Sequence, residues 1–83
     1  MRQVVLPVEI ESLQEGGFLA ISASIQGCHA EGDTIAEALE NLEDVARMLL
    51  EVLREDGAPF PLGLQELRPD SVLGAQVVVP LPE

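Results

Sequence analysis

The chain has 83 residues, enough for one small domain, and its single cysteine cannot form an internal disulfide. Four basic residues against fifteen acidic ones give a net charge of −11, which disfavours binding to nucleic-acid phosphates and to anionic membrane surfaces. Hydrophobic residues make up 47% of the chain, too many for an acidic disordered protein, so we predict one folded domain over residues 1–83.

The N-terminal region predicts a cytoplasmic protein. A signal peptide requires a continuous apolar run before its cleavage site, and a membrane span requires about 20 apolar residues. Here Glu9 and Glu11 interrupt an alternating pattern instead. We therefore expect no membrane association, and a compartment in which the lone thiol stays reduced.

Residues 2–12 alternate between apolar and polar positions, which is typical of a half-buried strand. Pro7 cannot donate a hydrogen bond to a neighbouring strand, so we expect this strand at a sheet edge. A tight hairpin turn is predicted over residues 14–17, because Gly16 and Gly17 tolerate positive φ. The apolar face of the strand consists of Val4, Leu6, Val8 and Ile10.

Residues 18–25 alternate again and predict a second strand. Phe18 begins on its smaller, more polar face and is placed to cover a sheet edge. Gly27 ends the run, and residues 28–32 predict a short third strand before a helix. The apolar face of the second strand consists of Leu19, Ile21, Ala23 and Ile25, against Ala20, Ser22 and Ser24 on the other face.

A helix is predicted over residues 34–56, where apolar residues recur at steps of three and four. Thr34 and Glu37 have the spacing of a capping box, and Gly57 is placed to end the helix. The apolar stripe widens in the last two turns, which indicates either a broad core contact or a contact between subunits. The residues that widen it are Met48, Leu50 and Val52.

The region after the helix is punctuated by proline and glycine and contains one strand candidate, residues 75–79, which Pro80 ends. Three consecutive valines favour burial on both faces or pairing with another chain. Because so small a domain buries a limited core, we expect a homodimer or a higher oligomer.

Catalytic and metal chemistry find little support in the sequence. Cys28 and His29 are adjacent on a predicted strand and point to opposite faces, so they cannot easily hold one metal ion or act as nucleophile and base. We expect a buried Cys28 and an exposed or interface His29, with a metal shared through His29 across a dimer axis as an alternative. Another alternative is a metal-dependent hydrolase that uses Glu31 and Asp33. We expect no enzyme activity, no cofactor and no metal.

Acidic side chains follow the outer face of the predicted helix. They are either simply solvated or form a negative stripe that steers and docks a basic protein. This acidic helix face, our candidate partner-binding surface, consists of Glu37, Glu40, Asp44 and Glu51.

An ordered set of small, polar and aromatic residues runs through the middle of the chain. It comprises Gly17 and Phe18; Gly27 and Cys28; Gly32, Asp33 and Thr34; Glu37, Ala38 and Leu39; and then Gly57, Pro59 and Pro61. In this order the set resembles the HicB family of antitoxin domains and their small relatives. The physical roles of these positions are structural: they bend strands, cap the helix and bring it close to the sheet.

The resemblance implies an α+β, two-layer fold of order β-β-β-α-β, in which one long helix packs on one face of a small antiparallel sheet. That fold is likened to a partial RNase H fold without its catalytic acids. HicB proteins bind and silence HicA, a small basic RNase, so the resemblance implies an antitoxin-type interaction module.

HicB antitoxins also carry a C-terminal segment that binds operator DNA, and this chain departs from that pattern. After Gly57 the only basic residue is Arg68 and no helical period is present, so we expect no direct DNA binding. The alternative is a stand-alone oligomeric HicB-like protein without a toxin, which binds another partner or a small ligand.

Overall fold

Five short strands and one long helix make up the secondary structure of the computed structural model, which describes residues 2–82. The predicted α+β architecture is confirmed, because the elements follow one another as strands, then the helix, then a further strand. The elements are β1 (Val4–Val5), β2 (Glu9–Ser12), β3 (Phe18–Ile21), β4 (His29–Gly32), α1 (Ile35–Glu55) and β5 (Gln65–Glu66).

The main sheet has three antiparallel strands in the order β2-β3-β4. A tight turn joins β2 to β3, in which the Leu13 N–H donates to the Gly17 carbonyl over 3.0 Å. Gly17 has a φ of +82°, a conformation that glycine adopts without the strain of a side chain. The predicted hairpin is therefore confirmed.

Residues 2–12 form two strands, whereas the sequence predicted one. Residues 6–8 interrupt the ladder around Pro7, which has no N–H to donate. β1 leaves the main sheet and pairs with β5 in a separate two-stranded sheet.

The helix begins and ends close to the predicted residues. The Thr34 hydroxyl accepts a hydrogen bond from the Glu37 N–H over 3.0 Å, and the Glu37 carboxylate accepts one from the Asp33 N–H over 3.2 Å. This arrangement is a variant of the capping box, in which the carboxylate accepts from the residue before the N-cap, Thr34, and it satisfies two backbone N–H groups next to the start of the helix. At the other end Gly57 takes a φ of +69°.

Helix α1 packs on the small-residue face of the sheet, not on the face with the larger apolar side chains. Paired positions across the strands align Ile10, Ala20 and Ala30 in one row on the helix side. Alanine projects little from the backbone, so the helix can approach closely through small residues of its own. The buried apolar core consists of Ala20, Ile25, Cys28, Ala38, Leu42 and Ala46.

The expected core face of the second strand was therefore wrong for Leu19 and Ile21, which project away from the helix. The strand also ends at Ile21 instead of residue 25, because the chain turns over residues 23–27. Ile25 still reaches the core, from this turn.

The strand predicted over residues 75–79 is not present, and residues 71–82 contain no helix or strand. β-branched residues favour a strand only where a neighbouring strand offers hydrogen bonds and packing, and among residues 2–82 no strand pairs with this segment. The strand that does follow the helix is β5, ten residues earlier. Residues 2–82 include no candidate membrane-spanning helix.

Candidate functional site

The face of the main sheet that points away from α1 carries two rows of side chains. In one row Leu19 lies between Glu11 and Glu31, and in the other Ile21 lies between Glu9 and His29. Paired positions of antiparallel strands project to the same side, with β-carbons about 5 Å apart. We call this surface the acidic sheet face; it consists of Glu9, Glu11, Leu19, Ile21, His29 and Glu31.

Two half-buried apolar side chains stand at the centre of the acidic sheet face, and the four polar ones around them are exposed. The ion pairs found among residues 2–82 use Arg2 and Arg47, and none of them involves Glu9, Glu11 or Glu31. The surface thus combines an apolar centre with three carboxylates that have no cationic partner within the described chain. A basic protein could neutralise these charges and cover the apolar centre.

The acidic helix face predicted from the sequence lies on the exposed side of α1, and all four of its residues are exposed. Two of them are already engaged: Glu37 completes the capping box, and Asp44 lies 3.6 Å from the Arg47 guanidinium. Glu40 and Glu51 are the members with no hydrogen bond or ion pair within residues 2–82. This face is more purely charged than the sheet face.

The sheet face was missed at the sequence level because Leu19 and Ile21 were assigned to the core. A signal was nevertheless present. Phe18 and Ala20 alternate with Leu19 and Ile21, so both faces of this strand carry apolar residues. Both faces of such a strand are expected to be at least partly covered.

Cys28 and His29 diverge as predicted, since Cys28 is buried and His29 is exposed on the sheet face. Burial raises the pKa of the Cys28 thiol, because desolvation disfavours the thiolate. The thiol is therefore a poor nucleophile and packs as a small apolar group.

The alternative hydrolase site receives no support from the geometry. Glu31 and Asp33 lie near the start of α1. Glu37, the next carboxylate along the chain, already accepts a hydrogen bond from the Asp33 N–H. Residues 2–82 contain no group of three or more His, Cys, Asp or Glu side chains placed to hold a metal ion.

The residues that carry the family resemblance lie where the fold is most constrained. A β-carbon on Gly17 would come within 2.9 Å of the Gly32 carbonyl oxygen, so the hairpin turn and the end of β4 are in close contact there. Asp33 and Thr34 immediately precede the helix and supply its N-terminal hydrogen bonds, and Ala38, in the first turn of the helix, is completely buried against the sheet. Phe18 is half-buried against the core, and Gly27, with a φ of +79°, precedes the buried Cys28. These positions have structural roles in the turns, the helix start and the contact between helix and sheet.

Comparison with known proteins identifies relatives along most of the chain. A scan against protein-family models gave no match. The UPF0150 protein ssr1765 of Synechocystis sp. is 32% identical over 66 residues, which cover 80% of this chain and 84% of that protein.

Two further proteins of the same organism are similar. The UPF0150 protein ssl0738 is 40% identical over 47 residues, covering 57% of this chain and 65% of that protein. The UPF0150 protein ssl0259 is 36% identical over 55 residues, covering 66% and 75%. On this similarity, the chain belongs to the UPF0150 family.

Proposed function

We propose that this chain is a non-catalytic HicB-like interaction domain that binds and neutralises a small basic RNase. The observation that carries the proposal is the position of Leu19 between Glu11 and Glu31 on the sheet face that the helix leaves uncovered. The resemblance of the ordered motif to HicB antitoxins supplies the class of partner. The chain would act in the cytoplasm and without binding DNA itself.

The apolar centre supplies affinity. Interfaces derive most of their binding energy from a few well-packed central residues that are shielded from water by a rim. Leu19 and Ile21 are neighbours on one strand face and are half-buried before any partner binds. Partner binding costs little additional conformational entropy at these two residues, because β3 is the central strand of the sheet and already holds their backbone in place.

The carboxylates supply selectivity. Glu9, Glu11 and Glu31 surround the apolar centre and favour a partner with Arg or Lys at matching positions. The acidic helix face adds to the field of a chain whose net charge is −11. Such a field accelerates the approach of a basic partner and weakens as salt screens it over about 10 Å at 0.1 M.

The test is affinity capture with the tagged chain from a lysate of its own organism, followed by an RNase assay on the captured protein. We expect one small basic protein that elutes as salt rises and whose RNase activity the purified chain inhibits in a saturable manner. Recovery of the chain alone, or of a partner whose activity it does not inhibit, would reject the antitoxin function. Recovery of the chain alone would favour the alternative, a stand-alone oligomeric protein.

A further inference from the structure

The segment after β5 ends in an apolar stretch whose valine side chains are largely exposed, although the residues just before them border a groove on the same molecule. Residues 75–79, which we call the valine segment, contain three consecutive valines that are 83%, 75% and 73% exposed. Val72 and Leu81, on either side, are also exposed. Apolar side chains at such density on a surface mark an interaction site.

The β2 edge of the main sheet offers backbone groups to such a segment. β2 lies at one end of the order β2-β3-β4, so one side of it has no neighbouring strand. The hydrogen bond from Leu13 to Gly17 fixes the alternation of the β2–β3 ladder. By that alternation the N–H and C=O groups of Ile10 and Ser12 point outward from the sheet.

The opposite edge is less accessible. At β4 the Asn41 side chain, from α1, donates a hydrogen bond to the Glu31 carbonyl over 2.8 Å. This bond occupies an outward-facing backbone acceptor of that strand. The β2 edge is therefore the better site for an added strand.

A groove beside the β2 edge has a volume of about 730 Å³ and a mixed lining. Val8, Ile10 and Leu39 form its apolar side, and residues 72–76 of the same chain form the opposite wall, so an added strand would lie between β2 and that wall. Ile10 and Leu39 are each 39% exposed. Alternate side chains of an added strand would have an apolar surface to pack against.

We propose that the valine segment of one copy pairs as a strand with the β2 edge of a second copy, and that the second copy returns the same contact. The valine segment is rich in β-branched residues, and Pro80 ends it directly after the third valine. The exchanged strand gives each valine segment the partner strand that its own chain lacks.

Charge and size favour a second copy as the occupant. Residues 71–82 contain no charged side chain, so they can approach an acidic copy without repulsion. The Cα radius of gyration is 14.7 Å against about 12 Å for a compact chain of this length, because the molecule extends to 53 Å along one axis. The extension is available to reach a neighbouring molecule.

The area is sufficient for a stable dimer. Burying a valine or leucine side chain removes about 100 Å² of apolar surface from water. Covering the three valines, Val72 and Leu81 in both copies would remove roughly 1,000 Å², and the surfaces that cover them are of similar size. The total is within reach of the roughly 1,200–2,000 Å² typical of stable interfaces.

A matched pair of substitutions tests the segment. Val78→Asp and Leu62→Asp both replace an exposed aliphatic residue by a carboxylate, but Leu62 lies in a turn outside the segment. Light scattering at micromolar concentration should give a dimer for the wild type and for Leu62→Asp. Val78→Asp should weaken dimerisation by at least about tenfold. A monomeric wild type, or equal loss in both variants, would overturn the proposal.

Complementation tests the β2 edge. Ser12→Pro removes an outward-facing N–H, and circular dichroism checks that the domain still folds. If it does not, Ser12→Lys, which adds a charge at the edge, takes its place. Alone, the edge variant and Val78→Asp should each be monomeric. Mixed, they should form a heterodimer, because the intact valine segment of one meets the intact edge of the other. Absence of a heterodimer would overturn the exchanged-strand arrangement.

Discussion

Gly32 lies directly against the backbone of Ala38, at the point where β4 approaches the first turn of α1. A β-carbon on Gly32 would come within 2.9 Å of the Ala38 Cα and 2.8 Å of the Glu37 carbonyl carbon. Both neighbours are backbone atoms of a capped helix, so neither can move aside without disturbing the cap. The close approach of helix and sheet depends on the absence of a side chain at residue 32.

Gly32→Ala should therefore lower the free energy of unfolding by about 1–3 kcal/mol, the range typical of overpacked sites. Gly74→Ala is the matched control, because a β-carbon there has no neighbour within 4 Å. Denaturant unfolding followed by circular dichroism measures both. Equal stabilities for the two variants would contradict the close packing at residue 32.

The capping box predicts that different substitutions at Thr34 and Glu37 change the stability by different amounts. Thr34→Ala removes the acceptor for the Glu37 N–H and should cost about 1 kcal/mol, whereas Thr34→Ser keeps the hydroxyl and should cost much less. Glu37→Gln should also cost little, since glutamine can occupy the same position of a capping box. This last variant removes a charge from the acidic helix face while retaining the cap. A large loss for Glu37→Gln would show that its charge stabilises the helix.

Ser22 is 1% exposed, and its hydroxyl has no hydrogen-bond partner among the described residues. Burying such a group carries a desolvation penalty of about 1–3 kcal/mol. Ser22→Ala should consequently leave stability unchanged or raise it by up to about 1 kcal/mol. Ser24→Ala, in the neighbouring turn, is the comparison. Thermal unfolding measures the stability of both variants. A clear loss of stability in Ser22→Ala alone would mean that the Ser22 hydroxyl makes a stabilising hydrogen bond, which would contradict this prediction.

The Cys28 thiol provides a probe of folding. Because burial raises its pKa, the folded state holds the thiol proton more tightly than the unfolded state does. This contribution to stability is complete below the ordinary thiol pKa of about 9.0 and is lost as the pH rises beyond it.

At pH 8 a thiol reagent should accordingly modify Cys28 at least about tenfold more slowly in the native protein than in denaturant. Ellman's reagent measures both rates. Equal rates would contradict the burial of Cys28. Cys28→Ser offers the control for reagent consumption by other groups.

The hairpin, the third strand and the helix were predictable from the sequence, but the assignment of faces and the strand after the helix were not. The two ends of the helix depend on local hydrogen bonds and backbone conformation at Thr34, Glu37 and Gly57. Such local preferences can be recognised from the residue types alone. The choice between Ala20 and Leu19 as the core-facing residue depends on how closely α1 can approach, and that is set by size more than by hydrophobicity.

The strands after the helix were harder to predict, because strand formation depends on a partner elsewhere in the chain. The run at Val77 has high strand propensity, but a strand requires a partner whose position no local pattern reveals. Gln65 and Glu66, which do pair with β1, carry no such propensity. The acidic helix face was found because charge is visible in the sequence, whereas the acidic sheet face required the register of three strands.

The most direct test of the acidic sheet face measures the affinity of the captured basic protein for matched variants by isothermal titration calorimetry. Leu19→Thr and Ile21→Thr retain strand propensity while removing apolar surface, and Glu40→Gln with Glu51→Gln removes charge from the helix alone. We predict that each sheet-face variant weakens binding by about tenfold or more, and that the helix-face variant weakens it about two- to threefold. Unchanged affinity for Leu19→Thr, with a large loss in the helix-face variant, would contradict this location.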